Sequence, residues 1–260
     1  MTFSFLGGML VRLAPLGVVS LLAACPPRQE CTPRQRLVFY DQSASSVVDS
    51  QTQARFDSTL AQLADSVATC KGNGLHGFLV HAATTAKSER VDVTDTLTRD
   101  TATGTTIQKA QKKTQLESNA NLLRKQARDA MLGLRTASVK PASRAHTDML
   151  GVLAVASDEL AHTDSGAVVY IFGDMRESMP SPRRDFDVHP PQSGAQAEQW
   201  ADADTALFRE LHVDRSRFRN AAIRVFMGNL ADKPNAAAVR SYWERLFRNA
   251  GFDSTKIQYN

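Results

Sequence analysis

Short apolar runs alternate along this chain with stretches whose apolar positions return every three or four residues. Residues 36–40 form the first apolar run and end in the polar break Asp41-Gln42-Ser43-Ala44-Ser45-Ser46, which predicts a buried strand and the turn after it. Over 51–69, Phe56, Leu60, Leu63, Ala64 and Val67 keep helical spacing, and Gly72-Asn73-Gly74 ends the element. Residues 75–82 read as a second strand. Residues 90–94 alternate polar and apolar as a half-exposed edge strand does, and the short link between the two suggests a hairpin. After a Thr- and Asp-rich stretch at 95–106, Leu116, Ala120, Leu123, Ala127, Ala130 and Leu134 mark a long helix closed by Pro141. Thr147-Asp148 opens another helix, through Leu150, Leu153, Ala154, Ser157 and Leu160. Residues 167–172 are the most apolar strand, expected at the centre of a sheet and ending in Gly173-Asp174. Residues 177–196, with four prolines and no periodicity, read as a long loop. A helix at 197–211, a strand at 222–228 and a helix at 235–250 follow. Strand and helix alternate almost throughout. The predicted fold class is therefore α/β, Rossmann-like, with a mainly parallel sheet, one antiparallel edge strand and helices on both faces.

The N terminus carries an address rather than an element. Arg12 precedes an apolar run at 13–24 that ends in small residues, and Pro26-Pro27 follows directly. That run is too short for a comfortable membrane span and fits a cleaved signal peptide. Leu22-Ala23-Ala24-Cys25 resembles the lipobox of bacterial lipoproteins, whose cysteine becomes lipidated. The expected organisation is a signal peptide at 1–24, a lipidated tether at 25–36 and one domain at 37–260, placed in the bacterial cell envelope. Export leaves Cys31 and Cys70 where a disulfide can persist. The first strand must run toward the edge that carries Asp41 and the first helix must run back, so both cysteines are expected at the opposite edge. The alternative is two unpaired thiols, one in the tether and one packed under the helix.

Composition removes several function classes. A chain that is 42% hydrophobic and 22% charged can build a core, and a net charge of +4 is too small to argue for nucleic acid. Lys109, Lys112, Lys113, Arg124, Lys125 and Arg128 cluster without aromatic interleaving and read as a solvated helix face. No Gly-x-Ser-x-Gly elbow supports a hydrolase, and Ser43 stands where an aspartate-based phosphatase would need a second Asp. His146 reads as a loop side chain bonded to backbone. His76, His81, His162, His189 and His212 share no metal-ligand spacing, and Trp243 and Phe247 belong to an apolar core stripe. No enzymatic activity is expected.

One constellation remains. In a parallel sheet the C-terminal ends of the strands and the starts of the following helices share one edge, which is where Asp41, Ser43, Ser45, Thr147 and Asp174 fall. Two carboxylates and three hydroxyls make a small, hard, all-oxygen site suited to Mg2+ or Mn2+. Asp41-x-Ser43-x-Ser45, then Thr147 at a helix start, then Asp174 after a strand, resembles the metal-ion-dependent adhesion site (MIDAS) of the von Willebrand factor A (vWA) domain family. The similarity in order and spacing runs from Leu37 to about Gly251. It implies that these five residues bind the ion directly or through water, and that a protein partner completes the site with an acidic side chain. Gly173, where many members have Ser, and Met175, where many have Gly, depart from the pattern. So does the long loop 177–196, expected beside the ion and involved in choosing the partner. The competing readings are a structural envelope lipoprotein of the same fold without a metal-dependent ligand and, further off, a hydrolase.

Overall fold

The computed structural model describes residues 31–87, 89–99, 103–138, 144–163, 166–181, 183–228 and 235–260. The expected signal peptide and Cys25 lie outside the described residues. Six strands form one sheet in the order β3-β2-β1-β4-β5-β6. They are β1 (Gln35–Asp41), β2 (Gly74–Val80), β3 (Arg90–Thr94), β4 (Ala167–Gly173), β5 (Ala221–Met227) and β6 (Ile257–Tyr259). Only the β2–β3 pair is antiparallel; β1 runs parallel to both β2 and β4, and β5 runs parallel to β4 and β6. The fold is thus α/β and Rossmann-like, with one antiparallel edge pair. β1 opens at Gln35, so the expected domain start at residue 37 falls inside a strand.

Side-chain alternation in the strands builds two cores. Leu37 and Phe39 of β1 point to one face with Val169, Ile171, Ile223 and Val225, under α3 (Met149–Leu160), α4 (Gly194–Asp204) and α6 (Ala236–Ala250). Val38 and Tyr40 point to the other with Leu75, Leu79, Tyr170 and Phe172, under α1 (Ser50–Val67) and α2 (Thr106–Thr136). The helices start where local chemistry supplies acceptors for their orphan N–H groups. Asp49 accepts from Gln51 and Thr52, Thr105 and Gln108 form a capping box, and Ser193 accepts from Gln196. Gly251, at φ +110°, ends α6 in the left-handed conformation glycine favours.

Two local features differ from the expected pattern. The helix expected at 197–211 is split: α4 ends at Asp204 and a single turn, α5 (Leu207–Glu210), follows. β6 was not anticipated, because three residues are too few to show a period. The loop between β4 and α4, as expected without helix or strand among its described residues, is pinned to the body of the domain rather than free. Ser178 bridges Asp185, Phe186 packs edge-on against Tyr242, and Arg184 holds Asp204 at 2.7 and 2.8 Å while lying over the Trp200 ring. Asp187, Val188 and His189 stand exposed, as do Pro180 and Ser181.

The chain enters the domain at the rear edge, where the strands begin. Cys31 and Cys70 are joined there by a disulfide with a Cα–Cα separation of 5.7 Å. Beside it, the buried Asn73 accepts from Arg34 N and donates to the carbonyls of Ser66 and Val67. No helix among the described residues is long and apolar enough to cross a membrane.

Candidate functional site

The strand order reverses between β1 and β4: the chain leaves β1 for β2 on one side and later returns to β4 on the other. The crevice beyond the C-terminal ends of these two strands is the topological switch point, the usual ligand position in open α/β sheets. Asp41 is the last residue of β1 and Asp174 follows the last residue of β4. The two strands approach so closely here that a Cβ on Gly173 would lie 2.6 Å from Asp41 Cβ. A side chain at 173 would therefore push Asp41 away, which accounts for glycine at this departure from the family pattern. Asp41 Oδ1 accepts from Ser43 N at 2.8 Å, and Asp174 Oδ1 accepts from Arg176 N at 3.0 Å. Each carboxylate is thus held by the turn that follows it. Met175, directly after Asp174, adopts φ +60°, a conformation costly for a side-chain-bearing residue and held by Trp243 Nε1 donating to its carbonyl at 2.6 Å.

The candidate hydroxyls come from the turn after β1 and from the segment before α3. Ser43 and Ser45 belong to the turn after β1, with their Oγ atoms 3.2 Å apart. Ser46 Oγ steadies that turn by donating to the carbonyls of Asp41 and Ser43. Thr147 is placed from both sides: its N–H donates to Ser178 Oγ at 2.7 Å, its carbonyl accepts from Ser178 N, and Asp148 N donates to His81 O beyond the end of β2. Asp41, Ser43, Thr147 and Asp174 are all nearly inaccessible. The Thr147 side chain is fully buried and its Oγ1 makes no hydrogen bond. An unmatched buried hydroxyl costs about 1–3 kcal/mol unless something else completes it. All five predicted residues thus lie at the one edge.

Directly behind Thr147 is a second set of charges that sequence reasoning did not single out. Glu177, fully buried, accepts from Met149 N at 2.7 Å and Leu150 N at 3.1 Å, two orphan donors of the α3 N terminus. Arg183 donates to Glu177 at 2.8 Å and to Asp148 at 2.6 Å, and Asp148 caps α3 through Gly151 N. Burial pushes the Glu177 carboxyl up to about 8; Arg183 opposes that rise and Asp148 adds to it. His146 donates from Nδ1 to Ser178 O at 2.7 Å, the backbone-bonded role expected of it. His81 is one of the five histidines to which the sequence gave no role. It is buried behind Asp148, and desolvation lowers its pKa. The one sequence signal for this network is the Thr147-Asp148 helix start; nothing local marks Glu177 or Arg183.

In the segment expected to be a partner-selecting loop, Ser178 and Glu177 support Thr147 and the start of α3. Its partners lie both within the segment, where Ser178 bridges Asp185 and Arg183 meets Glu177, and on α3, α4 and α6, at spacings that show no period. Beside the Asp41 turn runs an open cleft lined by Tyr40, Ser43, Val47, Arg135 and Arg144, with Val47 exposed and Arg144 Nε donating to Gln42 O. Among the described residues no group of three or more His, Cys, Asp or Glu is arranged to hold a metal. The predicted set has two carboxylates and completes its donors with hydroxyls. Comparison of the chain with protein-family models and with curated proteins returns no match.

Proposed function

We propose that the chain is an exported bacterial lipoprotein, anchored at Cys25, whose domain binds Mg2+ or Mn2+ through Asp41, Ser43, Ser45, Thr147 and Asp174. The ion then holds an acidic side chain of a protein partner, in the manner of the vWA family that the chain resembles. The observation that carries the reading is the Thr147 hydroxyl, buried without a hydrogen bond at the edge where the other four residues lie. A hard cation in the crevice would accept that oxygen and those of Ser43 and Ser45. With only two carboxylates the site would be formally neutral rather than anionic, so an incoming carboxylate could still join the ion. The Gly173 backbone leaves room for the Asp41 side chain, which fits the same reading.

The chain's own residues would do the positioning. Ser178 and the Glu177–Arg183–Asp148 network hold Thr147 and the α3 start in place, and the turn hydrogen bonds aim one oxygen of each carboxylate. A partner would approach over the Val47 and Arg144 cleft, where a second acidic group would meet a guanidinium. The test is calorimetry of the protein with Mg2+ and with Mn2+, alongside Asp41→Ala, followed by a metal-dependent pull-down from envelope extract. Saturable uptake lost in the variant is the expected result. Absence of uptake, or equal uptake by the variant, overturns the site; uptake without metal-dependent capture of a partner leaves the ion a structural one.

A further inference from the structure

α2 is 31 residues long, and only its C-terminal half has a surface to pack on. Arg128 pairs with Asp65 and Arg135 with Asp57, so α2 runs antiparallel to α1, and its residues before about 125 pass the rear end of that helix. The packed stripe reads Leu134, Met131, Ala127 and Ala120, with Leu123 and Leu116 half-buried, and then stops. From Thr106 to Asn119 every other residue is exposed. At 1.5 Å per residue this is an arm of about 21 Å, overhanging the edge where Cys31 enters the domain.

The stripe that faces the domain in the packed half does not fade to neutral in the arm. Lys113, Lys112 and Lys109 stand three, four and seven positions before Leu116, the spacings that keep residues on one helix face. Three ammonium groups thus continue the line of the core contact out past the rear edge. Lys112 is held by the carbonyl and hydroxyl of Thr103, and Glu117, 3.9 Å from Lys113, is the one acid in the arm. An apolar partner helix would find no stripe here.

We propose that this lysine face rests on an anionic lipid surface, oriented by the anchor at Cys25; the inference depends on the lipoprotein reading above. Five residues lie between Cys25 and the disulfide-held Cys31, a reach of about 20 Å at full extension over the six Cα–Cα steps, which matches the length of the arm. An anchored domain is thereby confined with its rear edge toward the bilayer and its arm long enough to touch it. Near an anionic surface each lysine contributes on the order of 1 kcal/mol, too little to bind alone but enough to orient a tethered body. The candidate metal edge then faces away from the membrane.

The experiment uses the lipidated protein on vesicles of phosphatidylcholine alone and on vesicles that also contain phosphatidylglycerol. Brief amine acetylation, mapped by peptide mass spectrometry, reads each lysine, and the mass of the N-terminal peptide reads the lipid. Lys109, Lys112 and Lys113 are expected to react about threefold more slowly on the anionic vesicles, recovering at high salt, with Lys125 in the packed half unchanged. Lys109→Glu, Lys112→Glu and Lys113→Glu together, all at exposed positions, should leave the circular dichroism unaltered and speed transfer between anionic vesicles about tenfold. Equal reactivity on both vesicle types with an acylated Cys25 overturns the inference and spares the anchor. A Cys25 without acyl mass overturns both.

Discussion

The two edges of the sheet each bury a polar side chain, and they treat it differently. At the rear edge Asn73 is matched by backbone and by Thr69, next to a disulfide. At the front edge Thr147 is just as deeply buried, yet its hydroxyl has no hydrogen bond. Loose packing does not explain the contrast, because immediately behind Thr147 the chain brings Glu177, Asp148, Arg183 and two helix N–H groups into register. The difference teaches that the rear edge is finished by the chain itself, whereas the front edge holds a buried hydroxyl that the chain does not match.

The finished parts should be the costliest to break. Glu177→Ala leaves two buried α3 N–H groups unmatched and Arg183 paired with Asp148 alone, and should destabilise the domain by about 3–5 kcal/mol in urea unfolding. A loss under 1 kcal/mol would show that the network is not what supports the front edge. Removing the bridge with Cys31→Ser and Cys70→Ser opens a loop of sequence separation 39 and should cost about 2–4 kcal/mol, with metal uptake unchanged. Loss of uptake together with the bridge would mean that the two edges are coupled.

Thr147→Val is the sharpest test of the contrast, since it replaces the hydroxyl with a methyl group of similar size. With chelator present, removing an unmatched buried hydroxyl should raise stability by about 1 kcal/mol, while Mg2+ affinity falls. A variant less stable than the parent in chelator would show that Thr147 Oγ1 has a partner within the protein. A separate test is pH dependence. Because burial raises the Glu177 carboxyl from 4.5 to about 8, the folded state favours its neutral form. Its stabilising contribution is complete below the ordinary value and is lost as pH rises through 8. Glu177→Gln cannot ionise, so the parent's stability relative to this variant should fall between pH 5 and 8; a flat difference would contradict the upward shift.

Much of this arrangement is written locally. The alternation at 90–94 marked β3 because one face of an edge strand meets water, and the apolar run at 167–172 marked β4 because a central strand is covered on both sides. Asp41, Ser43, Ser45, Thr147 and Asp174 could be named because strand ends and helix starts are visible in the chain and a parallel sheet gathers them on one edge. The cysteine pair followed from the same bookkeeping of direction, and the structure joins it.

What the sequence determined by itself was therefore the set of elements, their directions and the edge at which each polar residue emerges, all of which depend on spacing between near neighbours. What only the tertiary structure decided depends on residues that meet from far apart. Glu177 finds the α3 N terminus 28 positions back, Gly173 is glycine because of Asp41 on a neighbouring strand, and the loop after β4 is pinned by Ser178, Asp185 and Phe186. The same holds for α2, whose lysines were legible as a polar face. That they overhang the rear edge depends on where α1 ends and on the pairs Arg128–Asp65 and Arg135–Asp57, since periodicity reports which residues share a side of a helix but not what stands opposite that side.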